Sequence, residues 1–294
     1  MSQVWLITGS SRGFGKALAE AVLAAGHSLI ATARDPAQLS SLVARYGDRV
    51  RAVALDVTDP AAAHTAIRAA VDAFGRLDVL VNNAGYGNLA SIEEGDDADF
   101  RAQLETNFFG LVNVTRAALP VLRKQRSGHI IQFSSIGGRI GVPGMGAYQA
   151  SKWAVEGFSE VLAKEIKPFG VYVTLVEPGG FRTDWAGSSM TIYPPAADSE
   201  YSPTMGAMIE LLKTHRGQQG GDPAKAAQAI LTIVNTPTPP LRLLLGSDAV
   251  FLAEQQAARV AAEDAKWRTL SLSTDFEDSA ESAEERARLI RSLT

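Results

Sequence analysis

Short apolar runs alternate with longer stretches of helical period through most of the chain. Val4 to Thr8, Ser28 to Ala33, Val50 to Leu55, Val79 to Asn82, His129 to Ser134, Val171 to Val176 and Leu241 to Leu245 are mostly rich in β-branched or aliphatic side chains, suited to strands buried on both faces. Between them, Gly15 to Ala25, Ala61 to Phe74 and Ala147 to Ile166 repeat Ala, Leu and charged residues at helical spacing. Such alternation marks βαβ units, so the expected fold class is α/β: a doubly wound parallel sheet of about seven strands with helices on both faces. Asp35-Pro36, Asp59-Pro60 and Asp222-Pro223 read as helix starts, because the carboxylate accepts a free N–H and proline has none to leave unpaired.

Asp184 to Gly221 breaks the rhythm. It carries Trp185, Met190, Tyr193, Tyr201, Met205 and Met208 among Ser, Pro and Gly, the composition of a lid. After Gly246 the chain is charged and Ala-rich, and Ser271 to Thr294 mixes acidic clusters with a short helical pattern over Glu284 to Ile290. No solenoid repeat or Gly/Ser linker divides the chain. One domain over 1–294 is expected, with a core at about 3–246, a lid at about 184–221 and a helical extension at about 247–294.

Composition narrows the chemistry. At 46% hydrophobic and 20% charged residues, the 294-residue chain has the balance of an ordinary globular protein. A formal charge of −4, with basic residues scattered singly, argues against nucleic acid as a partner. With no cysteine, disulfides, thiolate metal sites and cysteine nucleophiles are excluded together. His27, His64, His129 and His215 lack metal-ligand spacing, so no metal is expected and surface or turn positions are expected for all of them. No run is long enough to span a bilayer and no basic leader precedes Val4, which makes the cytoplasm the expected compartment.

Thr8-Gly9-Ser10-Ser11-Arg12-Gly13-Phe14-Gly15 follows a strand and opens a helix, where free N–H groups and the helix dipole face a pyrophosphate. Gly9 permits a tight turn, Gly13 a close backbone approach to phosphate, and Gly15 close packing of helix on strand. The spacing G-x-x-x-G-x-G differs from the G-x-G-x-x-G of other dinucleotide folds, and no Gly-Lys-Ser/Thr follows as a phosphate-binding kinase or ATPase loop requires. The sheet is therefore expected to be of Rossmann type.

Further motifs follow in a set order: Asp56-Val57, Asn82-Asn83-Ala84-Gly85, Asn107, Ser135, Tyr148-Gln149-Ala150-Ser151-Lys152, and Pro178-Gly179 with Thr183. With the glycine turn, these make the chain resemble the short-chain dehydrogenase/reductase family, in its single-domain branch, from Val4 to about Leu245. The resemblance implies that Asp56, with Val57, meets the adenine and that Asn83, Ala84 and Gly85 stand beside the cofactor. It further implies that Pro178, Gly179, Phe181 and Thr183 meet the nicotinamide end, where Lys152 bonds the ribose. Asn107 would hold a water linked to Lys152. The turn contributes Gly9, Ser11, Arg12, Gly13, Phe14 and Gly15. Assembly as a homodimer or homotetramer through helices at Asp99 to Lys124 and Ala147 to Lys167 is implied in the same way.

Tyr148 and Lys152 are four apart on a helix, so both side chains emerge on one face. A free phenol has a pKa near 10. A nearby ammonium and an oxidised nicotinamide both favour phenolate, which makes Tyr148 the expected general acid and base and Lys152 the group that lowers its pKa. Ser135 ends a strand, where its hydroxyl can hold a substrate oxygen; it is preferred to Ser134 because its distance to the tyrosine is the family's. Taken singly, a Tyr-x-x-x-Lys pair reads as a solvated helix face and Ser-Ser before Gly as a turn; together and in this order they read as catalysis.

The second strand ends Thr32-Ala33-Arg34, with alanine where NAD-binding folds place a carboxylate on the ribose 2′-hydroxyl. Arg34 and Arg12 favour the 2′-phosphate of NADP(H). If Arg34 instead pairs with Asp35, Asp35 could meet the ribose and NAD(H) would serve. Tyr86, Ile136, Val142, Met145, Phe181 and Trp185 flank the motifs as an apolar substrate pocket, suited to a hydrophobic ketone or secondary alcohol. An epimerase on the same fold would carry another glycine pattern and a larger C-terminal domain. A non-catalytic dinucleotide sensor would lack the intact Ser135, Tyr148 and Lys152.

Overall fold

The computed structural model describes residues 2–186, 189–196, 198–276 and 283–292. Seven parallel strands, β1 (Val4–Ile7), β2 (Ser28–Ala33), β3 (Val50–Ala54), β4 (Val79–Asn82), β5 (Gly128–Phe133), β6 (Val171–Pro178) and β7 (Arg242–Leu245), lie in the order β3-β2-β1-β4-β5-β6-β7. This is the doubly wound Rossmann arrangement, whose reversal of direction between β1 and β4 opens a crevice at the strands' carboxyl ends.

Side chains alternate along each strand and feed a different core on each face. Trp5 and Ile7 of β1 pack in one core with Leu18, Val22 and Leu23 of α1 (Gly13–Ala24), Leu42 of α2 (Ser40–Tyr46) and Ile230 of α8 (Pro223–Val234). Val4 and Leu6 pack with Ala63, Ile67 and Ala70 of α3 (Pro60–Phe74), Val114 and Leu122 of α5 (Gly110–Gln125), and Leu162 of α6 (Gly146–Ile166). Alanines on the inner helix faces let the axes approach the sheet. As the Asp-Pro pairs suggested, Asp35, Asp59 and Asp222 each accept from the N–H two residues on, at 3.0, 2.8 and 2.8 Å.

Several details differ from the sequence reading. β1 stops at Ile7 because Thr8 turns toward β4: its hydroxyl accepts from the Asn83 and Ala84 amides, each at 2.9 Å. His129 is not at the surface. It is buried in β5, with Nε2 2.9 Å from Thr174 Oγ1 on β6, because its register on the sheet faces packed structure. The stretch expected as one helix at Asp99 to Lys124 is α4 (Asp97–Leu104), a π turn (Glu105–Phe109) and α5. The lid segment contains a 14-residue helix, α7 (Ser202–His215). Beyond β7, α9 (Ser247–Leu272) is followed by α10 (Ala283–Ser292).

Candidate active site

A cleft of about 990 Å3 runs across the carboxyl ends of the strands. At one end lie Gly9, Ser11, Arg12, Gly13 and Phe14 of the first turn, with Arg34, Asp56 and Val57 from the ends of β2 and β3. Gly9 and Gly13 have φ of 67° and 55°, which a side chain would strain. Gly15 lies beneath the cleft, where a Cβ would stand 2.1 Å from the Gly9 carbonyl oxygen, and so sets how closely α1 sits on the turn. Phe14 packs against Phe133 and Phe181, with ring centroids 5.4 and 4.9 Å away. Asp35 is occupied in capping the turn after β2, and neither Arg12 nor Arg34 makes an ion pair within 4 Å of a described carboxylate. The Thr58 amide and hydroxyl, and then Arg34, hold the Asp56 carboxyl below its ordinary range.

At the other end are Asn83, Ala84, Gly85, Tyr86, Ser135, Tyr148, Lys152, Pro178, Gly179, Phe181, Thr183 and Trp185. α6 carries Tyr148 and Lys152, both buried. Burial pushes the phenol up to about 12, against the opposing effect of the Ser135 hydroxyl. Burial also pushes Lys152 down to about 8, with Glu156 working the other way. The expected depression of the phenol by Lys152 is therefore not met in the protein alone. Lys152 Nζ is held by the Phe133 carbonyl at 2.8 Å and lies 5.7 Å from the centre of the tyrosine ring. Ser135 Oγ accepts from the Gly137 amide at 3.0 Å, which fixes it at the head of the turn.

Asn107 stands behind the cleft wall on the π turn, donating to the Tyr86 carbonyl at 2.8 Å and to Ser151 Oγ at 3.1 Å, and accepting from the Tyr86 amide at 3.0 Å. Of the apolar candidates, Tyr86, Phe181 and Trp185 line the cleft. Met145 and Val142 pack instead with Leu89 and with Met205 and Ile209 of α7, and Ile136 begins the 3-10 turn Ile136–Gly138. Ser134, the alternative weighed against Ser135, also lines the cleft, and sequence reasoning missed Thr106 and Gln219 among the lining residues. It also missed Asp248, whose Oδ2 accepts from the Gly180 amide at 2.6 Å; only proximity in space reveals that contact.

The glycine cradle, Arg12 and Arg34, and the wall of backbone beside Asn83 fit a dinucleotide, and among the described residues no group of His, Asp and Glu side chains suits a metal ion. No helix among them is long and apolar enough to cross a membrane.

A Rossmann sheet with this cleft defines a class of nicotinamide-linked oxidoreductases, and residues 3–192 match the family described as short chain dehydrogenase. The chain belongs to that family and is an oxidoreductase of the short-chain dehydrogenase/reductase type. It is 52% identical over 275 residues to "Oxidoreductase BOA17" of Botryotinia fuckeliana, covering 93% of this chain and 100% of that one. It is 38% identical to a 3-ketodihydrosphingosine reductase of Bacteroides thetaiotaomicron, covering 83% and 88%. A short-chain dehydrogenase from Streptomyces avermitilis has a similar structure, with a TM-score of 0.87, 41% identity and coverage of 93% and 98%. A Burkholderia cenocepacia short chain dehydrogenase in complex with NADP gives 0.70 at 28% identity, covering 90% and 97%. A Burkholderia phymatum enzyme in complex with NAD gives 0.76 at 24% identity, covering 96% and 98%, a likeness of fold.

Proposed function

We propose that this chain is a cytoplasmic, single-domain NADP(H)-dependent oxidoreductase that interconverts a hydrophobic ketone and its secondary alcohol. The observation that carries the reading is the convergence of Ser135, Tyr148 and Lys152 at one end of a cleft whose other end presents Arg12 and Arg34. The NADP complex among similar structures supports the cofactor choice; the capping role of Asp35, and Arg34 making no ion pair within 4 Å of a described carboxylate, weigh against the NAD alternative.

When bound, the reduced nicotinamide supplies the hydride. Gly9, Gly13 and the amides opening α1 would cradle the pyrophosphate, Arg12 and Arg34 the 2′-phosphate, and Lys152 the ribose of the nicotinamide. Tyr148 is protonated at neutral pH, the state a proton donor to a carbonyl oxygen needs. Ser135 holds that oxygen, and Asn107 joins the relay to Lys152. Tyr86, Phe181 and Trp185, with the Met-rich cluster beneath the lid, favour an apolar substrate. 3-Ketodihydrosphingosine, the ketone that the Bacteroides relative is named for, belongs in the first panel.

Exposed Phe100 on α4, Phe109 on the π turn, and Trp153 and Val161 on α6 support association of a second copy as a homodimer or homotetramer. The decisive experiment measures NADPH and NADH oxidation against a panel of ketones. Cofactor binding without turnover on any substrate would favour the dinucleotide-sensing alternative.

A further inference from the structure

The stretch that leads into α8 returns to the cleft beside the segment after β6, and it brings a side chain that the proposed chemistry leaves unused. Gln219 lines the cleft, and its Oε1 is buried with no hydrogen-bond donor among the described residues. An amide oxygen withdrawn from water without a partner is costly. A molecule bound in the cleft can supply the donor.

Main-chain bonds fix where that oxygen lies. The Gly221 amide donates to the Gly180 carbonyl at 3.0 Å and the Arg182 amide to the Gly221 carbonyl at 3.1 Å, a short parallel bridge that lays 219–221 along 180–182. Arg182 Nε donates to the Gln219 carbonyl itself at 2.7 Å. Gly221 permits this approach, since a Cβ there would run into the Phe181 ring. Gln219 Cγ lies 3.4 Å from where a Cβ on Gly180 would stand, and Asp248 of α9 holds the Gly180 amide from its own side at 2.6 Å. Gln219 and Asp248 therefore flank Gly180, and only Gln219 of the two lines the cleft.

Pro178, Gly179, Phe181 and Thr183 are the residues proposed to meet the nicotinamide, and Gln219 lies at their end of the cleft. The nicotinamide carries a carboxamide whose NH2 offers two donors. The Gly180 and Phe181 carbonyls are already taken by the Gly221 and Thr183 amides, at 3.0 and 2.9 Å, whereas Gln219 Oε1 can accept without breaking a bond. An apolar ketone brings no N–H or O–H donor of its own, so the substrate does not compete for this oxygen. We infer that Gln219 Oε1 accepts a hydrogen bond from the nicotinamide carboxamide. The inference rests on the proposed cofactor and adds to it a binding residue from outside the glycine turn and the tyrosine helix. Because the carboxamide lies off the bond that joins ring to ribose, holding it keeps the ring from turning about that bond, so one face stays presented to the substrate.

The test compares binding of NADP+ with that of its 3-acetylpyridine analogue, in which a methyl group replaces the NH2, by calorimetric titration of the full chain. The native protein should bind NADP+ about 5-fold or more tightly than the analogue, which leaves Gln219 Oε1 buried and unpaired. Gln219→Met keeps the length and removes the acceptor, so it should bind the two within about 2-fold of each other. Gln219→Glu keeps an acceptor and should keep the preference. Both substitutions leave the main-chain bonds of 219–221 in place. Adenosine 2′,5′-bisphosphate, which shares the adenine end and has no nicotinamide, should bind native protein and variants alike. Equal binding of the two dinucleotides by the native protein, or a preference that Gln219→Met leaves intact, would overturn the inference. Weaker binding of the bisphosphate by Gln219→Met would overturn it as well, by marking Gln219 as a support of the cleft wall. A native protein that binds neither NADP+ nor NAD+ would bring down the proposed cofactor and this role together. Binding of NAD+ alone would correct the cofactor, and NAD+ with its own 3-acetylpyridine analogue then decides the role of Gln219.

Discussion

Trp185 packs on the ring of Tyr148, with centroids 5.1 Å apart and planes inclined by 54°. Gly87 lets the two meet there: a Cβ at that position would stand 2.9 Å from Trp185 Cζ2 and 2.9 Å from Tyr148 Cδ2. Gly87→Ala should therefore shift the phenol from its productive position and lower kcat/KM by about 10-fold or more, since small misplacements near reacting atoms are costly. Steady-state kinetics, with circular dichroism to confirm the fold, checks this; an unchanged kcat/KM would show that the ring has room to yield.

Tyr148→Phe removes one oxygen and keeps the ring that packs against Trp185 and the lid cluster. Cofactor affinity should persist while kcat falls roughly 100- to 10,000-fold, the range for a lost general acid. Titration of NADPH by fluorescence beside turnover measurements separates the two effects. Near-native kcat would remove the phenol from the reaction.

Arg12→Ser combined with Arg34→Asp removes two cations from the end of the cleft at the glycine turn and adds a carboxylate where the second strand ends. Affinity for NADP(H) should drop far more than affinity for NAD(H). Measured dissociation constants for both cofactors decide it, and a surviving preference for NADP(H) would displace the 2′-phosphate from these arginines.

His129 sets an acid limit on stability. Burial pushes the folded imidazole down to about 4, while the unfolded chain titrates near 6.5. Between those values the unfolded state binds more protons, so stability is present above about pH 6.5 and is lost as pH falls toward about 4, by up to about 3 kcal/mol. His129→Gln, which can still reach Thr174, should flatten the dependence between about pH 6.5 and about pH 4 in urea unfolding. An equal slope in both proteins would assign the acid sensitivity elsewhere.

The strands, the glycine turn and the order of motifs were legible because each is local: β-branched runs, positive-φ glycines and Tyr148-x-x-x-Lys152 show in the chain itself. The π turn was not, since one extra residue in a helix leaves the hydrophobic period around Asn107 nearly unchanged. α7 escaped notice because only Met205 and Ile209 of its side chains are buried and Gly206 interrupts its pattern. Glu156, Glu177 and Arg242 are distant in sequence and meet only because β6 and β7 pair beside α6. Asp248 meets Gly180 for the same kind of reason.

The strand order divides the cleft between two stretches of chain. β1, β2 and β3, with the residues up to Asp56 and Val57, form the end with the two arginines, whereas β4 to β7 bring Ser135, Tyr148, Lys152 and Trp185. Inheritance can therefore act on the two separately: a lineage can change which dinucleotide it accepts by altering the first stretch, and change what it oxidises or reduces by altering the second, with neither revision erasing the other.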